Sequence, residues 1–172
     1  MRLQAVCYRA HDPRWAYKPM SGDGAKSKGG RFNPVGVPAL YLARTIEGCF
    51  LEQAHGFPIR FNPLTVCTYD LDIEGIVDLT TDPGRGAANV QLSELQCSWA
   101  EDMAAGKEPA SWKVAKRLIG VGASGIIVPS FARGARPDMH NVVLWKWGPD
   151  LPRRVLVHDP SGRLPKNQLS WT

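Results

Sequence analysis

The sequence has no apolar run that approaches the roughly 20 residues a membrane-spanning helix needs. No long apolar stretch followed by a small-residue cleavage site stands near the first residue, so we expect no signal peptide. Cysteine is sparse and contains no Cys-x-x-Cys pair, which favours free thiols over disulfides or a zinc site. We therefore expect a cytoplasmic protein with no membrane partner. The four widely spaced cysteines are Cys7, Cys49, Cys67 and Cys97.

Common cofactor and metal patterns are missing as well. Gly-Lys-Ser/Thr never occurs in that order, which argues against a P-loop. No Gly-x-Gly-x-x-Gly opens a strand–helix unit, so a dinucleotide would not be held in the Rossmann manner. The histidines lack metal-ligand spacing among themselves and with the cysteines, and we expect no metal. They are His11, His55, His140 and His158.

Positive charge is concentrated in the first third of the chain. The net charge is +5, and residues 1–60 hold nine Lys and Arg against four Asp and Glu, whereas the other 112 residues balance at twelve of each. Such a field attracts a phosphate-bearing ligand, and it can also serve RNA. The basic residues form no dense run of the kind found in nucleic-acid-binding tails, so we expect no direct nucleic-acid contact.

With 172 residues and neither an internal repeat nor a linker, the chain predicts one domain, 1–172, of the α+β class. A polar, glycine-rich stretch, 18–30, predicts a mobile loop, and 81–84 predicts a turn. A basic loop is expected over 132–139. Apolar residues with helical spacing follow Thr45 and predict a helix that ends at Gly56. The same kind of spacing predicts helices at 92–103 and 112–119. Strands are predicted at 5–9, 39–42, 67–73, 76–79, 125–130, 141–147 and 153–157.

The segment Gly29–Glu52 is the most informative part of the sequence. Paired glycines indicate a close backbone approach or a tight turn, and a short apolar strand and a helix capped by Thr45 follow. The segment places Arg31, Tyr41 and Glu52 on the turn, the strand and the helix. An arginine, a ring and a carboxylate in such succession suit an anionic, ring-bearing small molecule.

These residues carry a resemblance to the RES-domain toxins of RES–Xre toxin–antitoxin pairs, a family named for an Arg, a Glu and a Ser. The matching segments follow the family's order and run over most of the chain. They are Tyr8-Arg9, Gly29-Gly30-Arg31-Phe32-Asn33-Pro34, Ala39-Leu40-Tyr41-Leu42-Ala43, Leu51-Glu52, Gly125-Ile126-Ile127-Val128-Pro129-Ser130 and Asn141-Val142-Val143-Leu144.

The resemblance implies a mostly antiparallel β core similar to the diphtheria-toxin-like ADP-ribosyltransferase fold. It implies a bacterial toxin that cleaves the nicotinamide–ribose bond of NAD, either transferring ADP-ribose to a target protein or degrading NAD with water or phosphate. NAD is then a substrate, and no cofactor is expected. The implied partner is an Xre-type DNA-binding antitoxin that blocks the active site. Two alternatives remain open: a non-catalytic nucleotide- or RNA-binding module, and a ribonuclease-type toxin.

The resemblance implies that Arg31, Glu52 and Ser130 are catalytic. Breaking the nicotinamide–ribose bond develops positive charge on the ribose, and a carboxylate such as Glu52 stabilises that charge. Arg31 offers a fork of donors for pyrophosphate or ribose hydroxyls. No Gly-x-Ser-x-Gly elbow surrounds Ser130, so we expect a hydrogen-bonding role and not a nucleophile.

Four further residues are expected to bind NAD together with Arg31. Tyr41 offers a ring face to nicotinamide, with Phe32 as a second wall. Arg9 would hold a phosphate oxygen or brace the carboxylate, and Asn141 would contact the substrate. Five of the site residues also have a structural alternative. Arg31 would pair with a surface acid, Glu52 would be solvated or salt-bridged, and Tyr41 would lie in the core. Ser130 would begin a turn, and Asn141 would cap a strand connection.

Overall fold

The computed structural model describes residues 1–54 and 62–169; the predicted helix stop at Gly56 and His55 lie outside them. The strands are β1 (Leu3–His11), β2 (Leu40–Ala43), β3 (Thr65–Ile73), β4 (Ile76–Asp78), β5 (Gly125–Pro129), β6 (His140–Leu144) and β7 (Arg153–Val157). The helices are α1 (Asp23–Lys28), α2 (Ile46–Ala54), α3 (Asp82–Ala87), α4 (Leu92–Leu95), α5 (Trp99–Ala104) and α6 (Ala110–Gly120).

All seven strands form one sheet in the order β4-β5-β6-β2-β1-β3-β7. Only the β4–β5 pair is parallel among them, and the other neighbours run antiparallel. This confirms the predicted α+β class with a mostly antiparallel core. No helix in the described ranges is long and apolar enough to cross a membrane.

Alternation along the strands divides the core between the two faces of the sheet. One face buries side chains such as Leu42, Tyr69 and Val142, which loop residues including Leu164 cover. On the other face Val143 packs against α4 and α6. In β3 the odd-numbered apolar residues from 67 to 73 are buried, as the period-2 pattern predicts.

Two loop predictions are wrong. The stretch 18–30 contains α1, because tertiary contacts order a segment without apolar periodicity: Arg9 Nη1 donates to the carbonyls of Pro19 and Ser21, each at 3.0 Å. The predicted turn at 81–84 opens α3 instead, with the Thr81 hydroxyl accepting from the Gly84 amide at 3.2 Å. The helical pattern over 92–103 is split into α4 and α5.

A carboxylate network joins β1, β3 and β7. Arg2 donates to both oxygens of Asp72, at 2.6 and 2.8 Å, and Gln4 and Arg154 add bonds of 3.2 and 3.3 Å. The hydrogen bonds from Arg2 are the main cause that lowers the pKa of Asp72 to about 2. Because the folded-state pKa lies below the ordinary value, this network stabilises the fold above about pH 4 and is lost as the pH falls toward 2.

We expect Asp72→Asn to remove this acid sensitivity. Urea unfolding of the wild-type chain at pH 6 and at pH 3 should show a fall in the free energy of unfolding. The variant should be less stable at pH 6 and should lose less stability between the two pH values, because its amide does not titrate. Equal pH slopes in the two proteins would contradict the assignment.

Candidate active site

Glu52 lies in the last turn of α2 and reaches the ends of β5 and β6. The Thr45 hydroxyl accepts from the Gly48 amide at 3.0 Å and caps the helix, as predicted. Cys49 packs on Ala43 of β2 and fixes the helix against the sheet. The carboxylate that the sequence singles out is therefore presented from a capped, packed helix.

Two side chains hold this carboxylate through one oxygen. Ser130 Oγ donates to Glu52 Oε1 at 2.7 Å, and Asn141 Nδ2 donates to the same atom at 2.6 Å. Ser130 directly follows β5, and Asn141 of β6 is paired with Val128 of β5, so the ladder brings the two donors to neighbouring strand ends. Oε2 accepts no hydrogen bond from the described residues and stays available to a ligand.

Asn141 carries the second unsatisfied acceptor of the site. Its Oδ1 is buried and has no hydrogen-bond partner among the described residues. A buried acceptor without a donor costs stability, and a donor group on a bound ligand would offset that cost.

Arg31 is located in a tight turn, Gly30–Asn33, closed by hydrogen bonds of 3.0 and 3.3 Å between the backbones of its two end residues. A Cβ on Gly30 would lie 2.6 Å from the Tyr41 hydroxyl, so the turn requires glycine there. Asn33 is fully buried, and its Nδ2 donates to the carbonyls of Ala25 and Val37 at 2.8 and 2.9 Å. The turn that carries Arg31 is thus built into the core.

The Arg31 guanidinium is fixed at one end. Its Nη1 donates to the carbonyls of Leu95 and Cys97 at 3.1 and 2.8 Å, and its central carbon lies 5.0 Å from the centroid of the Phe131 ring. Burial lowers the pKa of Arg31, and the nearby Cys97, Glu52 and Tyr41 act in the opposite direction. The group remains charged, and its Nε and Nη2 have no hydrogen-bond partner among the described residues.

Tyr41 fixes the same turn through its hydroxyl group. The hydroxyl donates to Asn33 Oδ1 at 2.7 Å and accepts from the Phe32 amide at 3.0 Å. Burial raises the pKa of Tyr41, which keeps the phenol neutral. The geometry gives Tyr41 a supporting contact to the turn; the predicted stacking on nicotinamide is a separate role that remains a prediction.

Of the seven residues that the sequence predicts for the site, Glu52, Ser130 and Asn141 are joined by hydrogen bonds. Arg31, Phe32 and Tyr41 meet at the Gly30–Asn33 turn, and Arg9 lies apart from both groups. Phe32 is only 3% exposed and packs in the core against Phe131, at 6.1 Å between ring centroids. Arg9 alternates with Tyr8 in β1 and so lies on the sheet face opposite Tyr41 and Asn141, bound to the carbonyls of the 18–22 segment.

Several contacts of the site were not predicted from the sequence. Phe131 follows Ser130, and its ring lies under Arg31, but the adjacent position gives no direct signal of that contact. Arg136 in the basic loop donates to Glu47 of α2 at 3.2 Å and ties this loop to the helix that carries Glu52. Arg31 also binds the backbone carbonyls of Leu95 and Cys97, and no residue type in the sequence indicates a contact of this kind.

The described part of the chain contains no group of three or more His, Cys, Asp or Glu side chains placed to hold a metal ion. The polar groups that converge are one carboxylate, one guanidinium, one hydroxyl and one amide. This set can orient a dinucleotide and stabilise a developing positive charge.

The chain is similar to known proteins over most of its length. The model of the RES domain family matches residues 6–167. Curated relatives called NAD(+) phosphorylase MbcT, from Mycobacterium bovis and Mycobacterium tuberculosis, are 28% identical over 131 residues, which is 69% of this chain and 69% of theirs. The toxin–antitoxin complex MbcT–MbcA of M. tuberculosis contains a similar fold, with a TM-score of 0.58 at 20% identity over 92% of this chain and 84% of that one.

Proposed function

This chain belongs to the RES domain family, and from that premise we propose that it is the toxin of a bacterial toxin–antitoxin pair and cleaves the nicotinamide–ribose bond of NAD. Relatives over more than two thirds of the chain are called NAD(+) phosphorylases. The proposal also agrees with the excess of basic residues around the Arg31 region.

One observation carries the proposal: the Glu52 carboxylate is oriented by two donors on Oε1 and keeps Oε2 available. Nicotinamide leaves as a neutral molecule, so the enzyme need not supply a proton to the leaving group. The demand is to stabilise the oxocarbenium-like ribose, and a fixed carboxylate in a partly buried site does so without reorganisation. Ser130 and Asn141 supply that orientation.

Substrate binding would fall to the groups with unused hydrogen-bonding capacity. The Nε and Nη2 donors of Arg31 suit pyrophosphate or ribose hydroxyl oxygens. Asn141 Oδ1 is a buried acceptor that a ribose hydroxyl or the carboxamide N–H of NAD would satisfy. Tyr41 would support the turn and offer its ring to nicotinamide.

We assign phosphate as the acceptor, because the relatives carry the phosphorylase name. In this reaction the C–N bond breaks and its electron pair stays on the nicotinamide nitrogen, while a phosphate oxygen bonds to the same ribose carbon. The products are nicotinamide and ADP-ribose phosphorylated at that carbon. Water or a protein side chain as acceptor would use the same carboxylate. The partner would be an Xre-type antitoxin that covers this site.

Incubation with NAD labelled on the adenylate tests both reaction and acceptor. We expect labelled ADP-ribose phosphate and free nicotinamide in phosphate buffer, and little turnover in a phosphate-free buffer. Free ADP-ribose in both buffers would replace phosphorolysis by hydrolysis, and label on a protein in a lysate would indicate transfer. Intact NAD in all three conditions would contradict NAD cleavage and favour a nucleotide- or RNA-binding module or a ribonuclease.

A further inference from the structure

The carbonyl that precedes Arg31 is bound from outside its turn. Gly30 O accepts from the Asn33 amide at 3.3 Å and from Trp112 Nε1 at 2.7 Å. Trp112 is 82 positions away in the sequence, on α6. The shorter of the two bonds therefore comes from a different layer of the fold.

The indole ring of Trp112 also limits the backbone just before the turn. Gly29 has φ +73°, and a Cβ there would lie 3.0 Å from a carbon of this ring. The ring is held by α6, whose residues Val114 and Leu118 are buried in the core. Since α6 is fixed in the core, the indole ring fixes the position and direction of the Gly29–Gly30 backbone.

The guanidinium end of Arg31 is tied to the same layer. One of the two carbonyls that accept from Nη1 belongs to Leu95, the last residue of α4, and Leu95 lies in one core cluster with Val114 of α6. The backbone just before Arg31 and its guanidinium are thus both positioned by the packed helices α4 and α6. Glu52, by contrast, is positioned by α2, β5 and β6.

We propose that Trp112 is a positioning residue of the NAD-cleaving site that acts through Arg31; this inference rests on the proposed function. Losing the indole N–H leaves Gly30 O with only the longer bond from Asn33 and lets the turn rotate. The free Nε and Nη2 donors of Arg31 then lose their direction, and Glu52 with its two donors is unaffected. A small misplacement of a positioning group is enough to reduce catalysis.

Trp112→Phe keeps a ring and removes the donor. We expect kcat/KM for NAD to fall by about tenfold. Trp147→Phe is a matched control, because Trp147 Nε1 donates to the Met20 carbonyl at 3.0 Å, beyond the opposite end of β6 from Asn141. It should lose the same kind of hydrogen bond and keep kcat/KM. Trp112→Leu, which also lacks a donor, replaces Trp112→Phe if the latter does not fold.

A double-mutant cycle separates positioning from general loosening of the fold. In an Arg31→Lys background the Trp112→Phe change should have no further effect on kcat/KM, because its effect passes through the guanidinium. An equal fall in both backgrounds, or an unchanged kcat/KM in the single variant, would overturn the inference while NAD cleavage stands.

A readout without turnover keeps the inference testable if no NAD is cleaved. In ¹⁵N-arginine-labelled protein, the Arg31 Nε–H signal should shift or broaden in Trp112→Phe and stay in place in Trp147→Phe. An unmoved signal in both variants would overturn the positioning role whatever the reaction is.

Discussion

Glu52→Gln is expected to reduce the rate of NAD cleavage by about 10²- to 10³-fold. Glutamine has the same shape, and its carbonyl oxygen can still accept from Ser130 and Asn141, whose bonds of 2.7 and 2.6 Å both reach Oε1. What disappears is the negative charge that would face the developing positive charge on the ribose. We therefore expect kcat to fall while NAD binding and the melting temperature change little.

The measurement is nicotinamide release under saturating NAD, accompanied by calorimetric binding of NAD to each protein. Glu101→Gln is the control, because Glu101 is an exposed carboxylate on α5 and the site contains no bond to it. The control should behave as the wild type. Full activity in Glu52→Gln would remove the carboxylate from the mechanism, and an equal loss in the control would point to an effect of net charge.

The elements with clear periodicity were predictable from the sequence alone. The odd-numbered residues of β3 from 67 to 73 are buried, and α2 begins at a threonine cap, so local physics and final structure agree. The wrong predictions concern segments whose local sequence suits more than one structure. The four residues Thr81-Asp82-Pro83-Gly84 suit either a turn or the first turn of a helix, since a cap followed by proline is common to both. The residues after Gly84 decide between a turn and a helix, and in this protein they continue as helix α3.

The site likewise combines residues that the sequence predicts with contacts that it does not indicate. Glu52, Ser130 and Asn141 were expected from the family resemblance, and hydrogen bonds to Glu52 bring these three residues together although they are spread over 90 positions. Arg9 lies on the sheet face opposite Tyr41 and Asn141, which the sequence does not indicate because it does not define the strand register. The Trp112–Gly30 bond spans 82 positions and joins a side chain to a carbonyl, for which no sequence pattern exists.

Tyr41→Phe is expected to lower the free energy of unfolding by about 2–4 kcal/mol, because two buried groups lose their partner. These are Asn33 Oδ1 and the Phe32 amide, at 2.7 and 3.0 Å from the Tyr41 hydroxyl. Arg31 is in the turn that these groups hold, so the rate of NAD cleavage should fall as well. Urea unfolding and steady-state assays on the same preparations give both quantities.

Tyr69→Phe is the matched control, since its buried hydroxyl donates to the Pro19 carbonyl at 2.9 Å, away from the turn. It should lose stability and keep activity. The comparison also separates two roles of Tyr41. If the ring acts only by stacking on nicotinamide, Tyr41→Phe keeps the ring and leaves the rate unchanged. If the hydroxyl acts by holding the Gly30–Asn33 turn, the rate falls although the ring is present, and the aromatic face is secondary to the hydrogen bonds beneath Arg31.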